Sequence, residues 1–214
     1  ENEDLIFNTE DNARIAHLLA LRGNCYNNLF FFAESQKSLQ KAMIYAKKIK
    51  DNDRRYFSIG RIYRITAANF RQDPKIKNID SALYYQKKSY DIQSKIKNKE
   101  TLYAGLIIQA AAIGELFFEK NKLDSARNYF NLSYDISKKA NLSKYSVKAL
   151  LGLANLDLKL NNSERALNYA LQAKDVAIKN ENPTEVKQSY ETLAKVYEKM
   201  NNTSKSNEYH KKYA

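Results

Sequence analysis

The strongest constraint on this chain is that part of its sequence occurs twice. Residues 81–92 (SALYYQKKSYDI) and 125–136 (SARNYFNLSYDI) are identical at seven of twelve positions, at an offset of 44 residues. Ala166 then follows Ala126 by 40 residues, and Ser206 follows Ala166 by another 40. A sequence period of about 20–50 residues is typical of stacked repeats and not of one globular core. The repetition therefore predicts an array of similar units.

Each unit has the pattern of two helices. Apolar residues recur at three- and four-residue spacing, which indicates amphipathic helices. Short Asn-rich segments separate these stretches, at residues 119–122, 159–162 and 199–202. The chain has only five glycines and two prolines, so few positions interrupt the helices. These features predict an all-α fold of about ten helices without a strand.

Small residues form two columns in the repeat. In the first helix a small residue precedes an aromatic residue by three in most units. The pairs are Gly23–Tyr26, Gly60–Tyr63, Gly114–Phe117 and Ala194–Tyr197, with Ala154–Asp157 breaking the rule in the fourth unit. The second column lies in the second helix and contains Ser35, Ala82, Ala126, Ala166 and Ser206, with ten extra residues before Ala82. Glycine is unfavourable inside a helix, so these positions predict close helix–helix contact.

These columns resemble the tetratricopeptide repeat (TPR), which has a small residue followed by Tyr in helix A, and Ala, an aromatic residue and Ala in helix B. The resemblance covers about residues 12–214 and is similar to the longer repeats of bacterial sensory and regulatory proteins. It implies a right-handed α-solenoid of about five helix-turn-helix units. The expected units are about 12–50, 51–98, 99–140, 141–180 and 181–214, within a single domain over residues 1–214.

Two segments lie outside this pattern. Residues 1–10 are expected to be a tail or the remnant of a preceding unit. Residues 71–80 are expected to be an insertion between the two helices of the second unit, and loops accept added length at small cost. The insertion is either a tolerated surface loop or a lip that contacts a partner.

The sequence offers no recognisable catalytic, cofactor or metal site. The two histidines, His17 and His210, stand at opposite ends of the chain, and no Gly-rich phosphate loop is present. Cys25 is predicted to be a small buried filler beside Tyr26. No stretch reaches the roughly 18 apolar residues of a membrane span, because Gln109 interrupts the most apolar segment. We therefore expect a non-enzymatic segment without a cofactor or a metal and without a membrane span of its own; a span outside this segment could tether it.

The net charge of +12 raises the question of an acidic partner. Lysines are scattered over the polar helix faces, which is the usual pattern of a solvated surface. Nucleic-acid binding needs a continuous basic stripe. Arg54 and Arg61 are expected to share their surface with Glu115, Glu119 and Glu191, so direct nucleic-acid binding is the least favoured function.

The resemblance implies that helix A side chains outside the packing columns line a ligand-binding groove. Carried onto this sequence, the groove residues are His17, Asn24, Asn27, Asn28, Arg54, Phe57, Arg61, Arg64, Glu115, Phe118, Glu119, Lys148, Asn155 and Lys159. The fifth unit would contribute Gln188, Glu191, Lys195 and Glu198.

The second unit has the most distinctive groove chemistry. Spacings of seven and three residues place Arg54, Arg61 and Arg64 on one helix face, with Phe57 among them. Guanidinium groups of this kind suit a carboxylate or an acidic peptide. The alternative is an internal network in which the arginines pair with Glu115 and Glu119.

Three functions remain open at this point. The leading hypothesis is a protein- or peptide-binding module, the sensory part of a larger bacterial transcription regulator with a helix-turn-helix domain or of another signalling protein. The second is a cytoplasmic peptide-sensing quorum regulator of the Rap or PlcR type. The third is nucleic-acid binding. The expected compartment depends on the function. It is either the outer side of the membrane, for a membrane-anchored regulator, or the cytoplasm.

Overall fold

The computed structural model describes residues 11–213, and the expectation for residues 1–10 lies outside that range. The described residues form ten α-helices, one 3-10 helix at Ser143–Tyr145 and no strand, as the sequence predicts. The helices are α1 (Asn12–Asn28), α2 (Phe32–Lys47), α3 (Asn52–Gln72), α4 (Ile79–Gln93), α5 (Lys99–Glu119), α6 (Leu123–Lys139), α7 (Val147–Lys159), α8 (Ser163–Lys179), α9 (Pro183–Lys199) and α10 (Thr203–Tyr213).

Successive helices pair as α1–α2, α3–α4, α5–α6, α7–α8 and α9–α10, which we call repeats 1 to 5. The chain also divides into two compact bodies. The N-terminal body comprises Glu1–Gly105 and the C-terminal body comprises Leu106–Ala214, so the division falls inside α5.

The turn inside most repeats has the same backbone geometry. We call the first helix of each repeat helix A and the second helix B. In repeats 1, 3, 4 and 5 a residue with positive φ follows helix A. The backbone amide of the next residue donates to the carbonyl of the residue five positions before that donor. The positive-φ residues of these turns are Phe30, Asn121, Asn161 and Asn201. The closing bonds are Phe31 N to Tyr26 O, Lys122 N to Phe117 O, Asn162 N to Asp157 O and Asn202 N to Tyr197 O. Asn tolerates this left-handed conformation better than most residues, so the Asn-rich segments mark helix ends.

Helix A and helix B approach closely enough for hydrogen bonds from side chain to backbone. Four serine hydroxyls of helix B donate to helix A carbonyls. The bonds are Ser35 to Gly23 (2.8 Å), Ser89 to Gly60 (2.7 Å), Ser133 to Ile107 (2.8 Å) and Ser206 to Ala194 (3.1 Å). Small residues permit this approach, and the hydroxyl satisfies its own hydrogen-bonding need in a buried place.

The predicted register of repeat 2 was wrong by seven residues. Gly60 does not oppose Ala82; it packs against Gln93 and accepts from Ser89. The residue equivalent to Gly23 and Gly114 is Ala67, which is buried and precedes Phe70 by three positions.

Two contacts fix this corrected register. Phe70 stacks on Tyr85 at 5.4 Å, as Phe117 stacks on Tyr129 at 5.5 Å in repeat 3. Asn78 N donates to Phe70 O, eight residues back, where the other repeats close over five. The connection in repeat 2 is therefore three residues longer than in the others. The expected ten-residue insertion at 71–80 is shorter than predicted, because both of its ends are helical.

The N-terminal body has an apolar core joined to a buried polar cluster. Leu19, Leu39 and Ile65 pack together in the core. Beside them Asn27 Nδ2 donates to Asn69 Oδ1 at 2.8 Å, and Asn69 Nδ2 donates to Ser35 Oγ at 3.0 Å. Since buried polar groups must find partners, this cluster ties α1, α2 and α3 to one another.

In the C-terminal body one phenylalanine fills the space that two glycines leave. A Cβ atom on Gly114 would lie 2.7 Å from Phe130 Cδ1, and one on Gly152 would lie closer still. Phe130 is 1% exposed and packs with Leu153 and Leu156. The predicted close contact at Gly114 is therefore present.

Among the described helices, α5 is long and apolar enough to cross a membrane by length and composition. Its buried residues include Ile107, Ile113 and Leu116, and Gly114 lies against Phe130. This packing places the apolar residues of α5 in the core of its repeat.

Candidate binding site

Two aspartates fix the start of α3, the helix that carries the arginines. Asp51 caps the helix by accepting from Arg54 N at 2.8 Å. Asp53 accepts from the backbone amides of Lys97 and Asn98, both at 2.9 Å. These two bonds lower the pKa of Asp53, so its carboxylate stays ionised and holds the start of α5 against α3.

The arginine face of α3, formed by Arg54, Phe57, Arg61 and Arg64, is only partly open to solvent. Arg54 and Phe57 are exposed, the latter at 43%. Arg61 and Arg64 are half-buried. In the corrected register Arg61 and Arg64 occupy groove columns, whereas Arg54 and Phe57 lie about two turns nearer the start of α3 on the same face.

The structure brings two predicted groove residues into direct contact. Arg61 Nη1 lies 2.9 Å from His17 Nδ1, which joins α3 to α1. A guanidinium only donates, so neutral His17 accepts this bond at Nδ1. Partial burial of the ring, although the residue as a whole is exposed, and the Arg61 charge both lower the pKa of His17.

Arg61 and Arg64 are neighbouring positive charges on this face, close enough for one to act on the other. Burial lowers the pKa of both, and the neighbouring Arg61 charge lowers that of Arg64 further. Within the described part of the N-terminal body no carboxylate forms an ion pair with either one. Partly desolvated like charges destabilise one another unless an anion joins them.

The contact between His17 and Arg61 predicts how His17 titrates. The pKa of His17 should lie below the ordinary value of about 6.5. Arg61→Gln should raise this pKa, because it removes the effect of the Arg61 charge, while the effect of burial remains. Since the folded-state pKa is the lower one, the stability that neutral His17 contributes is complete above about pH 6.5. That stability is lost as the pH falls from there through the folded-state pKa.

Proton NMR is a direct check, because the chain has only two histidines. The signal of His210 in α10 is the internal reference for the spectra. A His17 pKa unaffected by Arg61→Gln would contradict the contact.

Two predictions about α1 were wrong. Asn27 was placed in the groove, but it is 2% exposed and its amide is bonded to Asn69. Cys25 was expected to be a buried filler, but its side chain is exposed. Asn27 was misplaced because the partner of its amide, Asn69, lies on another helix, 42 residues away in the chain.

The other groove candidates of α1 are accessible to different degrees. His17 and Asn28 are exposed, and Asn24 is half-buried. The corrected register adds Arg71 to the groove columns of α3. The sequence analysis missed Arg71 because it took Gly60 and Tyr63 for the small and aromatic residues of the packing columns. Arg71 is half-buried and already engaged, so it is not a free cation.

In the C-terminal body the candidates form a mixed surface. Lys159 Nζ lies over the Phe118 ring, 5.1 Å from its centre, so α5 and α7 contact one another through two predicted residues. Lys148 and Glu119 are exposed, and Glu115, Phe118 and Asn155 are half-buried. Glu115 and Glu119 both have partners, which makes this region a weaker anion site than the arginine face.

No family model and no curated protein sequence matches this chain. Solved structures do match it. One is a signal-transduction ATPase from Pyrococcus horikoshii with a tetratricopeptide repeat sensor, at a TM-score of 0.69 and 17% identity, over 94% of this chain and 30% of that one. The fold is TPR-like.

Two further TPR-like neighbours are aspartyl phosphate phosphatase F from Bacillus subtilis and the apo form of RapI. Phosphatase F has a TM-score of 0.72 and 15% identity over 94% of this chain and 49% of its own. RapI has a TM-score of 0.65 and 18% identity over 99% and 66%. This chain thus spans about half of phosphatase F and less than a third of the ATPase. At these identities the likeness establishes the fold, and the predicted TPR resemblance is confirmed.

Proposed function

We propose that this TPR-like chain is a protein-interaction module that binds an acidic segment, or a terminal carboxylate, of a partner on the arginine face of α3. The observation that carries the proposal is the adjacency of Arg61 and Arg64 without a compensating carboxylate in the described part of their own body. A ligand anion would remove this repulsion.

The local chemistry suits such a ligand. Guanidinium groups present forked donors that match carboxylate oxygens, and a charge-assisted bond contributes about 1.5–3 kcal/mol. Partial burial strengthens the attraction relative to an open surface. Exposed Phe57 provides an apolar contact next to the cations, and His17 holds Arg61 in position.

For the whole protein we propose a regulatory role, as the sensory part of a larger transcription regulator or signalling protein. The TPR sensor of the archaeal ATPase, together with phosphatase F and RapI, supports this class of function. A cytoplasmic peptide-sensing regulator of the Rap type is the second candidate, since RapI is similar over nearly the whole of this chain. The absence of catalysis in this segment stays a prediction.

The test measures binding of a dye-labelled hexaglutamate peptide with a free C-terminus. Arg54→Gln/Arg61→Gln/Arg64→Gln should weaken binding by more than tenfold, since a loss of about 1.4 kcal/mol corresponds to tenfold and even one charge-assisted bond contributes about 1.5 kcal/mol or more. Circular dichroism should show the helical signal unchanged. An amidated hexaglutamine peptide should not bind either protein.

A matched variant separates the site from general electrostatics. Lys122→Gln/Lys139→Gln/Lys187→Gln removes the same charge from exposed positions of the C-terminal body. Equal weakening of binding in both triple variants would mean that hexaglutamate responds only to net charge. Unfolding of the arginine variant would instead show that the three arginines are structural.

A further inference from the structure

Repeat 1 lacks an aromatic ring that every other repeat supplies from helix B. Three residues after the small residue of helix B, repeats 2 to 5 have Tyr85, Tyr129, Tyr169 and Tyr209. Three of these rings stack on a helix A ring: Tyr85 on Phe70 at 5.4 Å, Tyr129 on Phe117 at 5.5 Å and Tyr209 on Tyr197 at 5.7 Å. Repeat 1 has the helix A ring, Tyr26, but Ser38 where the tyrosine would be.

A depression of about 420 Å³ lies at this place between α1 and α2. Tyr26, Ser38 and Ile44 line it, and Ile44 is 57% exposed. An exposed isoleucine beside a half-buried tyrosine gives the depression apolar walls. It can therefore accept a ring in the way that Phe117 accepts Tyr129.

The walls of the depression are also positively charged. Among the described residues that line it are three cations, Arg22, Lys37 and Lys41, and the carboxylate of Glu34; Arg22 and Lys41 also have other partners. Arg22 Nε donates to Ser38 Oγ at 3.0 Å, which places the guanidinium beside the missing ring. An occupant with negative charges next to its aromatic ring would complement this wall.

The turn between α1 and α2 adds a second, independent observation. Phe30 has a φ of 64° and is 72% exposed, whereas repeats 3, 4 and 5 have Asn at the equivalent turn position. A bulky residue in the left-handed region is strained, and such strain is concentrated at functional positions. The neighbouring Phe31 is 55% exposed and its ring contacts that of Tyr26 at 6.4 Å, so the exposed aromatics adjoin the depression.

We propose that this depression is a second binding site, which receives a tyrosine flanked by aspartate or glutamate from a partner protein. The tyrosine would stack on Tyr26 as the chain's own tyrosines stack in repeats 2, 3 and 5. The flanking carboxylates would bind Arg22, Lys37 and Lys41. The site is separate from the arginine face of α3, because Tyr26 and His17 are nine residues apart and lie about 180° apart around α1.

The experiment compares two dye-labelled peptides, Asp-Glu-Tyr-Glu-Asp and Asp-Glu-Ala-Glu-Asp, by fluorescence anisotropy with the full chain. Burial and stacking of one ring should make the tyrosine peptide bind about tenfold more tightly. Ser38→Tyr fills the depression with the chain's own ring and should reduce that ratio to about one. Gln36→Tyr, an exposed α2 position outside the depression, should leave the ratio at about tenfold.

A second variant guards against misfolding of Ser38→Tyr. Ile44 is exposed, so Ile44→Glu should fold. It replaces an apolar wall of the depression with a carboxylate, so it should remove the preference for the ring and reduce the ratio to about one, while its repulsion weakens both acidic peptides alike. A ratio of about one in the unmodified protein, or a ratio that both variants leave at tenfold, would overturn the proposal. Self-association in sedimentation that Ser38→Tyr abolishes would also overturn it, in favour of a second copy of this chain as the occupant.

Discussion

Phe130→Ala is expected to lower the free energy of unfolding of the C-terminal body by about 3–5 kcal/mol. Phe130 is fully buried and its ring occupies the space left open by Gly114 and Gly152. Neither glycine has a side chain that could move into the vacated volume, so the cavity cannot close. Urea denaturation followed by circular dichroism measures the change in stability.

Two companion variants test the same contact from other directions. Gly114→Leu should destabilise by about 1–3 kcal/mol through overpacking against Phe130. Leu132→Ala, at an exposed position of the same helix, should have little effect. Equal stabilities of the Phe130→Ala and Leu132→Ala proteins would show that the helix packing is misplaced.

Asp157→Asn should cost about 3 kcal/mol, because it leaves a largely buried guanidinium without its carboxylate. Asp157 on α7 is fully buried and lies 2.7 Å from Arg127 of α6. Arg165 of α8 approaches its other oxygen only to 3.5 Å, without a hydrogen bond, and is 59% exposed. Arg127 is therefore the partner that matters for stability.

A compensating variant distinguishes a required ion pair from a replaceable one. Asp157 stands where other repeats have an aromatic residue, and Tyr169 stands where their stacking partner lies. Asp157→Phe/Arg127→Leu removes both charges and supplies the missing ring, so it should recover most of the stability that Asp157→Asn removes. If thermal unfolding shows the double variant to be less stable than Asp157→Asn, Asp157 has a role that apolar packing cannot replace.

The fold could be predicted from sequence because its signals are local and repeated. The small residues and the Asn-rich helix ends recur in register, and each has a direct physical meaning in the structure. Repeat 2 was misaligned for an equally physical reason. Seven residues are nearly two helical turns, so Gly60–Tyr63 and Ala67–Phe70 lie on the same face and periodicity cannot tell them apart.

The same helical geometry explains which site residues were placed correctly. A seven-residue slip keeps Arg61 and Arg64 on the predicted face, and the contact of Arg61 with His17 joins two residues that the groove pattern had selected. Asn27 could not be placed from its own helix, because its partner Asn69 comes from α3. The depression beside Ser38 follows from comparing the repeats, once the register is known.

Anion binding at Arg61 and Arg64 is tested most sharply by the NMR signal of His17 while hexaglutamate is titrated into the protein. A bound carboxylate should offset the Arg61 charge, so the His17 resonances should shift and its pKa should rise, while those of His210 stay in place. Saturable binding of the peptide that leaves the His17 signals unmoved would refute anion binding at these arginines, because the ligand would then occupy another surface.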